Sequence, residues 1–268
     1  MPNGPYEGLA TTFDTAAELY ERARPGYPPE LFEDLAALGG LETGSAHVLE
    51  IGPGTGQATR SLLARGWRVV ALEPGKELAI VAARVLAGSG DVEIVVTPFE
   101  RWRGREGSFD LVFAATSFHW LDPSVAYQKA AKVLRPGGCL AVVATEHVLP
   151  EVGGDAFFRE VQQAYAAVAM SDGLGGPLRP DEVPPPNAAE IRASGLFEAP
   201  VVRRYISELS YSAEEYVALL GTYSGHIAAS PERRARLFAD IRGRIQARPG
   251  GTVRKHYLHI LQTARRAG

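Results

Sequence analysis

Residues 48–59 read VLEIGPGTGQAT, an apolar strand pattern that runs directly into three glycines at alternate positions, Gly52, Gly54 and Gly56. Glycine lacks Cβ, so such a turn adopts positive φ and lets a ligand approach the backbone closely. A dinucleotide fingerprint would read G-x-G-x-x-G, whereas this turn contains a proline and follows the carboxylate of Glu50. Because a carboxylate repels diphosphate and suits a cation, the stretch disfavours NAD. The chain also has no G-K-[ST] sequence, which disfavours a P-loop nucleotide.

Composition excludes several other classes of protein. The 268 residues allow one large domain, or one domain with a sizeable appendage. The net charge is −3 and no extended basic run is present, so a nucleic-acid-binding surface is not expected. Cys139 is the single cysteine, which rules out an internal disulfide and indicates a buried structural thiol. Without a signal-peptide pattern or a membrane-length apolar run, we expect a soluble cytoplasmic protein with no membrane partner.

Between residues 45 and 146, short apolar strands alternate with helical patterns, as in a parallel sheet with crossover helices. The near-continuous apolar character of these strands is typical of strands that are buried on both faces. The pattern predicts strands at 47–51, 68–72, 92–96, 108–115 and 139–145, helices at 57–65, 77–86 and 125–134, and a turn at 135–138.

After residue 150 the pattern becomes less regular. Residues 155–170 predict one amphipathic helix with a broad apolar face, and the Gly/Pro-rich stretch 173–186 predicts an irregular loop. The segments 150–186 and 210–250 are interpreted as insertions that cap the carboxyl edge of the sheet. The remaining predictions are helices at 187–195, 213–220 and 231–246 and strands at 201–209 and 254–263.

The residues that follow each predicted strand describe the binding site, because ligands of open α/β sheets bind beyond the carboxyl ends of the strands. Glu73 follows the second strand, 21 residues after Gly52, which is close to the spacing of a ribose-binding carboxylate. Phe99 and Glu100 follow the third strand, where an aromatic face and a carboxylate suit an adenine ring. Taken singly, Glu73 also fits a helix-start charge and Phe99 a core residue. Together they indicate a nucleoside-binding site.

The motif order resembles that of class I S-adenosylmethionine-dependent methyltransferases. Four stretches carry the resemblance: VLEIGPGTG at 48–56, VVALEPG at 69–75, FDLVFAATSFHWLD at 109–122 and VLRPGGCLAVV at 133–143. Residues 13–28 resemble the lead-in of the small-molecule branch, which includes trans-aconitate-methyltransferase-like enzymes with a type 11 methyltransferase domain. The resemblance implies an α/β fold, with a Rossmann-like seven-stranded sheet, helices on both faces and a partly helical cap. The sheet would be mostly parallel with an antiparallel last strand.

The same resemblance implies the cofactor and its contacts. The cofactor would be S-adenosyl-L-methionine, which leaves as S-adenosyl-L-homocysteine, with Glu50 beside its ammonium and the glycine turn along its methionyl portion. The division implied is a helical lid at 1–40, a cofactor-binding core at 41–149, and cap insertions with the final strands at 150–268. For Tyr20 and Arg24 the alternatives are helix packing and a surface charge. The cofactor-binding residues predicted are Tyr20, Arg24, Glu50, Gly52, Gly54, Gly56, Glu73, Pro74, Phe99, Glu100, Ala115 and Thr116.

Histidines supply the candidates for a catalytic base. His119 follows the fourth strand, and an unperturbed imidazole accepts a proton near neutral pH; the alternative is that His119 and Trp120 form a structural pair. His147, after the fifth predicted strand region, is the second candidate base and is also a candidate substrate contact. Tyr223 and His226 lie in the predicted cap and are candidate substrate contacts or ordinary helix-end residues. No H-E-x-x-H or Cys/His cluster is present, so no metal is expected.

The sequence therefore predicts methyl transfer to an O, C or N atom of a small, apolar or aromatic metabolite. The chain lacks the N-P-P-Y tetrad of many base-methylating relatives, which argues against a nucleic-acid base as the acceptor. Two alternatives stay open. One is a non-methylating enzyme that uses the bound sulfonium for cyclisation or rearrangement, and the other is a catalytically silent, cofactor-binding subunit. The expected partner is the small-molecule acceptor, and a homodimer is left open.

Overall fold

The computed structural model describes residues 16–170 and 176–268, and seven strands within them form one sheet. Residues 1–15, which begin the predicted N-terminal lid, and residues 171–175 lie outside the described residues. The strands are β1 (His47–Ile51), β2 (Arg68–Leu72), β3 (Val92–Val95), β4 (Phe109–Ala115), β5 (Leu134–Val148), β6 (Val201–Ser212) and β7 (Thr252–Arg265).

The strands are arranged in the spatial order β3-β2-β1-β4-β5-β7-β6. The pairs among β1 to β5 are parallel, whereas β7 is antiparallel to both of its neighbours, β5 and β6. The prediction of a Rossmann-like, mostly parallel seven-stranded sheet with an antiparallel last strand is therefore confirmed.

Helices cover both faces of the sheet and form a separate layer beyond its edge. The described helices are α1 (Ala17–Ala23), α2 (Pro29–Gly39), α3 (Thr59–Leu63), α4 (Lys76–Val85), α5 (Pro123–Val133), α6 (Phe157–Glu160), α7 (Gln162–Ala167), α8 (Ala188–Ser194), α9 (Ala213–Leu220), α10 (Ser224–Ile227) and α11 (Pro231–Gln246). None of the helices in the described part of the chain combines the length and the apolar character needed to cross a membrane.

Two apolar layers hold the central strands, because side chains alternate between the faces of a strand. Val48 packs with Leu35 of α2 and Leu62 of α3 on one face. Leu49, the next residue, packs with Ala130 of α5 on the opposite face. Glu50 shares the face of Val48, so its carboxylate points toward the layer of α2, α3 and α4.

Strands β5, β6 and β7 project beyond the edge at which β1, β2 and β4 end. Ala115, the last residue of β4, is paired with Val143, and β5 continues from there to Val148. At about 3.3 Å per residue the projection is roughly 17 Å long. Because β7 is antiparallel, its first residues lie on this projection, where Val148 is paired with His256.

Five helices, α6, α7, α9, α10 and α11, pack against the projecting strands and are called the cap below. The cap has its own apolar cluster, which joins Phe157 of α6, Leu219 of α9 and Leu237 of α11 to Val253 and Tyr257 of β7. The sequence marks where one of these helices starts, because Ser212 and Glu215 form a complete capping box at the start of α9. The ends of α9 and α11 coincide with the predicted helices at 213–220 and 231–246.

The prediction of one continuous helix over 155–170 is wrong. The structure has two short helices, α6 and α7, with a break at Val161. Phe158 packs edge-on against His147, with ring centroids 4.4 Å apart, while Tyr165 approaches His226, with centroids 5.7 Å apart. The break allows both aromatic side chains to be buried at once, and these tertiary contacts outweigh the helical periodicity of the sequence.

Other predicted boundaries also need correction. Residues 135–138 are not a separate turn: β5 begins at Leu134, and a shift in the pairing with β4 accommodates the extra residues. The predicted helix at 57–65 is limited to Thr59–Leu63. Strand β6 continues to Ser212, so residues 210–212 belong to the sheet. Residues 176–186 of the predicted loop contain no helix or strand.

Cys139 is a fully buried free thiol in the interior of β5, as expected from the sequence. Burial raises the pKa of the Cys139 thiol to about 12. Since the thiolate is the nucleophilic form of cysteine, this residue is an inert part of the core.

Candidate functional site

The carboxyl ends of β1, β2 and β4 meet at one edge of the sheet. Ile51 is paired with Leu72, and β4 pairs along the other side of β1. The segments that follow these three strands therefore lie side by side. Glu73 and Thr116 are brought next to the glycine turn, at the edge where ligands of open α/β sheets bind.

All three glycines of the turn require the freedom that glycine provides. Gly52, Gly54 and Gly56 have φ values of +66°, +61° and +98°, a region that side-chain-bearing residues rarely adopt. A Cβ on Gly52 would also lie 2.6 Å from Cβ of Ser117, and one on Gly54 would lie 3.4 Å from the ring of Tyr20. The turn is therefore packed tightly between the segment that follows β4 and helix α1.

Glu73 ties the end of β2 to this turn. Its carboxylate accepts a hydrogen bond from the Gly54 amide at 2.9 Å and a second from the Gly75 amide at 2.8 Å. The residue is buried. Backbone amides thus fix the position of a buried carboxylate at the place where the sequence predicts a ribose contact.

Glu50 is buried to an even greater degree, with 1% of its surface exposed. Burial raises the pKa of Glu50 to about 8; the neighbouring Thr59 hydroxyl opposes the rise, and the nearby charge of Glu73 adds to it. Its Oε2 atom has no hydrogen-bond partner among the described residues. A buried carboxylate oxygen without a partner is costly, and a bound cation would remove that cost.

Glu21, which the sequence reading missed, fastens helix α1 to the glycine turn. Its carboxylate accepts hydrogen bonds from Thr55 Oγ1 at 2.7 Å and from Gln57 Nε2 at 3.1 Å, and it forms an ion pair with Arg60. Its position next to Tyr20 on the same helix is the signal that could have identified Glu21 from the sequence. These contacts place α1 directly over the turn.

Arg24 joins α1 to the cap. Its guanidinium donates to Thr222 through Nε at 2.8 Å and through Nη2 at 3.0 Å. It also lies 4.9 Å from the ring centre of Tyr20 and 4.6 Å from that of Tyr223. Arg24 is therefore half-buried between α1 and the cap, while Tyr20 lies against Gly54. The predicted contact of Arg24 with a cofactor carboxylate stays a prediction.

The segment after β4 is fixed by its backbone conformation and by a second tyrosine. Thr116 follows Ala115 with a φ of +55°, which is rare for a residue with a branched side chain. Its hydroxyl donates to the Ala115 carbonyl at 2.8 Å and lies 3.4 Å from Tyr27 Oη. Ser117 Oγ donates to the Ile51 carbonyl, which closes the segment over β1. Tyr27 and Ser117 were not predicted as site residues, because neither is the residue that directly follows a predicted strand.

The predicted adenine contacts are in two different environments. Phe99 is buried and packs with Leu72 in the core, with Lys129 Nζ 5.1 Å from its ring centre. Glu100 is exposed, as is Pro74 after β2. Phe99 is therefore a core residue in this structure, and the roles of Glu100 and Pro74 stay predictions.

The candidate bases differ in their surroundings. His119 is exposed and lies against Trp120, with ring centroids 4.8 Å apart, and partial desolvation lowers its pKa. His147 lies against Phe158 on the projecting part of β5. Burial, assisted by the charge of Lys255, lowers the pKa of His147 to about 2, so its imidazole is neutral at physiological pH.

The two candidate substrate contacts in the cap are close to each other, with the rings of Tyr223 and His226 5.8 Å apart. His226 Nε2 lies 3.0 Å from Tyr165 Oη in the cap interior. Tyr223 Oη accepts a hydrogen bond from Lys255 Nζ at 2.9 Å. Lys255 was missed, because it stands between Arg254 and His256 in the predicted strand and nothing in this polar stretch indicates that the lysine is buried.

A cavity of about 620 Å³ lies at the opposite edge of the sheet, near the amino ends of β1 and β4. Ligands of this class of sheet bind at the carboxyl edge, so the cavity is not the predicted cofactor site. The cavity is lined by His47, Trp102, Arg105, Glu106, Gly107, Ser108 and Phe109.

In residues 16–170 and 176–268, no group of three or more His, Cys, Asp or Glu side chains is arranged to hold a metal ion.

Comparison with known proteins agrees with this architecture. The profile of a methyltransferase domain family matches residues 49–142, which run from β1 to the middle of β5. An uncharacterised methyltransferase of Mycobacterium tuberculosis is 38% identical over 135 residues, which is 50% of this chain and 52% of the relative. The malonyl-[acyl-carrier protein] O-methyltransferase of Dechloromonas aromatica is 31% identical over 163 residues, covering 56% of this chain and 54% of the relative. The chain thus aligns with about half the length of these relatives.

One solved structure extends the likeness over nearly the whole chain. A protein of Anaeromyxobacter dehalogenans assigned as a type II methyltransferase has a TM-score of 0.61 and 25% identity, covering 90% of this chain and 97% of that chain. The motif order, the seven-stranded sheet with its antiparallel β7 and the matched domain all agree with the resemblance that the sequence carries. Residues 49–142 therefore match a methyltransferase domain family, and the chain as a whole has the fold of a solved methyltransferase structure.

Proposed function

We propose that this protein transfers a methyl group from S-adenosyl-L-methionine to an O, C or N atom of a small molecule. The observation that carries the proposal is the pair of buried carboxylates, Glu50 and Glu73, beside the glycine turn. One Glu50 oxygen is buried without a partner. Such a site suits a cationic nucleoside and is unfavourable for a diphosphate.

The residues around the turn fit the parts of this cofactor. Glu50 would accept hydrogen bonds from its ammonium, and Glu73 would accept those of the ribose hydroxyls while it keeps its two amide donors. Tyr20, which lies against Gly54, would cover the methionyl portion. Arg24 would exchange its contacts with Thr222 for the cofactor carboxylate. Ala115 and Thr116 would flank the cofactor from the end of β4.

When bound, the cofactor supplies a methyl group on a sulfonium, which is ready for in-line displacement. The contribution of the chain is to align the acceptor with that methyl group and to exclude water. Alignment alone can be worth about 7–11 kcal/mol of the barrier. A base is needed only when the acceptor loses a proton in the step. His119 is the first candidate, whereas the depressed pKa of His147 makes it a poor proton acceptor.

The cap favours an acceptor that is small and apolar or aromatic. The layer between the cap and the projecting strands is rich in aromatic rings, and Tyr211, Tyr216 and Tyr257 are all buried there. Such rings supply apolar contact area with few polar groups that need partners. The relative from Dechloromonas aromatica carries the name of an O-methyltransferase, which supports oxygen among the candidate acceptor atoms.

The direct test is incubation with methyl-labelled cofactor and a panel of small aromatic alcohols, amines and carboxylic acids. Label that appears in an acceptor, with stoichiometric S-adenosyl-L-homocysteine, supports methyl transfer. Turnover of an acceptor with all label retained in the cofactor would instead indicate the non-methylating alternative. An E50Q variant assayed in parallel should lose label transfer, because the carboxylate that balances the cofactor's ammonium is absent.

A further inference from the structure

Lys255 is a buried lysine that the proposed function does not use. It lies on β7, on the strand face of Tyr257, and 2% of its surface is exposed. Its Nζ atom lies 5.7 Å from the ring centre of Tyr216 and 5.1 Å from those of Tyr223 and Tyr257. Burying an ammonium group is costly unless an anion or several hydrogen bonds compensate it. Its position among aromatic rings therefore calls for a function.

Tyr223 lies between Lys255 and a second cation. Its hydroxyl accepts the hydrogen bond from Lys255 Nζ at 2.9 Å, and the Arg24 guanidinium lies 4.6 Å from its ring centre. Tyr223 is half-buried, whereas Lys255 lies behind it and is fully enclosed. Of the two, Tyr223 is thus the one that an incoming molecule can touch.

No carboxylate in the described part of the chain forms an ion pair with Lys255 or Arg24. Although burial disfavours a phenolate, the charges of Lys255 and Arg24 together lower the pKa of Tyr223. In the protein without cofactor, a tyrosine between two such cations is the group best placed to supply the missing negative charge. The titratable or charged groups facing it are Arg24 and Tyr20 from α1, Lys255 and Tyr257 from β7, Tyr211 from β6 and His226 from α10.

The position of Tyr223 relative to the cofactor turn is set by a short series of contacts. Gly54 lies against Tyr20, Tyr20 lies against Arg24, and Arg24 lies against Tyr223. On the other side, the ring of His259 on β7 approaches Tyr27, which lies beside Thr116. Lys255 is four residues, roughly 13 Å, from His259 along β7, so these contacts relate Tyr223 to the cofactor turn from two sides.

We propose that Tyr223 is the general base for the acceptor, with Lys255 as the residue that positions it and holds it as a phenolate. This inference rests on the proposed methyl transfer. The phenolate takes the proton from the acceptor O–H, N–H or activated C–H group as that atom bonds to the methyl carbon. The sulfur–methyl bond breaks, and its electron pair stays on sulfur. The proton remains on Tyr223 Oη until solvent removes it after the product leaves.

The histidines are less suited to this role. His147 has a pKa near 2, so it holds a proton only in strong acid. His119 is exposed and packs on Trp120, and none of the described cations is stacked on it or hydrogen-bonded to it. Tyr223 is the candidate whose surroundings stabilise its deprotonated form.

The test is an ultraviolet titration of tyrosinate in the free protein, which needs no knowledge of the acceptor. The chain has ten tyrosines, and free tyrosine ionises near pH 10. The wild type should show one tyrosinate that forms well below that pH, and Y223F should lack it. In K255M the step should move up by about 1–3 pH units, the shift expected from loss of an adjacent opposite charge. K255R should retain it.

Matched controls separate this effect from general disturbance of the protein. Y205F removes a tyrosine whose pKa is raised by burial and by Asp34, so the early step should be unchanged. K132M removes an exposed lysine that is paired with Glu106 and should also leave it unchanged. Near-ultraviolet circular dichroism reports whether each variant keeps its native packing. If K255M does not keep it, the titration of K255R decides the result.

Three outcomes would overturn the proposal: no early tyrosinate in the wild type, an early step that persists in Y223F, or a step at the same pH in natively packed K255M. If K255M is misfolded, loss of the early step from natively packed K255R would overturn it as well. Titration of the same wild-type sample with S-adenosyl-L-homocysteine keeps the two claims apart. Cofactor binding without an early tyrosinate rejects the base alone, whereas absence of cofactor binding rejects the proposed function.

Discussion

The amide of Gly54 donates a hydrogen bond to Oε2 of Glu73, with 2.9 Å between nitrogen and oxygen. This contact joins the glycine turn after β1 to the residue that follows β2. We propose that Glu73 has two tasks: its carboxylate fixes the turn, and it also accepts hydrogen bonds from the ribose of the cofactor. On this proposal the geometry of the turn and the binding of the nucleoside depend on one side chain.

Replacing Glu73 with Gln should weaken cofactor binding strongly. Hydrogen bonds to a charged group contribute about 1.5–3 kcal/mol, so affinity for S-adenosyl-L-homocysteine should fall by about 10- to 150-fold. Isothermal titration calorimetry measures the change. E93Q, which alters an exposed glutamate on the neighbouring strand β3, is the control and should bind as the wild type does. Equal affinity of E73Q and wild type would remove Glu73 from the cofactor site.

Cofactor binding should depend on pH through Glu50. Its pKa is about 8 in the free protein, and a bound ammonium would favour the ionised form. Binding below that pH therefore releases a proton, and affinity should rise by about tenfold per pH unit between pH 6 and 7. Calorimetry in two buffers of different ionisation enthalpy counts the proton released. The E50Q variant should bind more weakly and release none; a wild-type affinity that does not change with pH would contradict this role.

The same carboxyl should make the free protein less stable as pH rises. The folded pKa of Glu50 lies near 8, above its ordinary value of 4.5, so in that interval the native state holds a proton that the unfolded state has lost. The contribution of Glu50 to the free energy of unfolding therefore decreases between about pH 4.5 and 8. Urea unfolding of wild type and E50Q at both ends of the interval measures the difference. A difference in the free energy of unfolding between wild type and E50Q that does not change with pH would argue against a raised pKa of Glu50.

The substitution G52A should disrupt the glycine turn. Positive φ costs a side-chain-bearing residue about 1–2 kcal/mol, and the added Cβ would lie 2.6 Å from Cβ of Ser117. Gly107 is a matched control, because its φ is +61° and nothing lies within 4 Å of its missing Cβ. We expect G107A to be less stable but to bind the cofactor as the wild type does. We expect G52A to lose more stability and also to lose cofactor binding. Equal effects of the two substitutions in urea unfolding and calorimetry would show that the contact with Ser117 is unimportant.

Asp155 should be needed for the stability of the cap. It accepts hydrogen bonds from the amides of Phe157 and Arg254 and pairs with Arg248 at 2.6 Å. Although burial opposes it, these partners hold the pKa of Asp155 below its usual value. D155A leaves the donors without an acceptor, which should cost about 1–3 kcal/mol in urea unfolding at neutral pH.

The effect of D155A has a defined pH dependence and a control. A depressed carboxyl pKa adds stability above the unfolded pKa and loses it as pH falls through the folded one, so the cost should shrink in strong acid. E214A removes one partner of the exposed ion pair with Arg242 and should cost less than about 1 kcal/mol. A similar cost for the two variants would mean that Asp155 does not organise the cap.

The central sheet could be predicted from the sequence because its signals are local. Apolar runs between glycines and prolines predicted the positions of β1, β2 and β4 along the chain. Three glycines at alternate positions predicted a turn with positive φ. The capped helices α9 and α11 were also predicted to the residue. In each of these elements the local preference and the tertiary packing agree.

The parts that were not predictable depend on contacts between distant segments. The helix expected over 155–170 breaks at Val161, because aromatic side chains on either side pack against His147 and His226. The position of Lys255 behind Tyr223 joins two residues that are 32 positions apart. Glu21 reaches the glycine turn only when α1 is folded over it. Periodicity indicates which face of an element is apolar, but it does not show which distant side chain meets that face.

We propose above all that the glycine turn with its two buried carboxylates holds the sulfonium nucleoside. Calorimetric titration of the wild-type protein with S-adenosyl-L-methionine and S-adenosyl-L-homocysteine tests it directly. We expect one site per chain with micromolar affinity for both compounds, and a large loss of affinity in E50Q and E73Q. Absence of binding to both compounds at micromolar concentrations, or binding unaffected by the loss of either carboxylate, would contradict it.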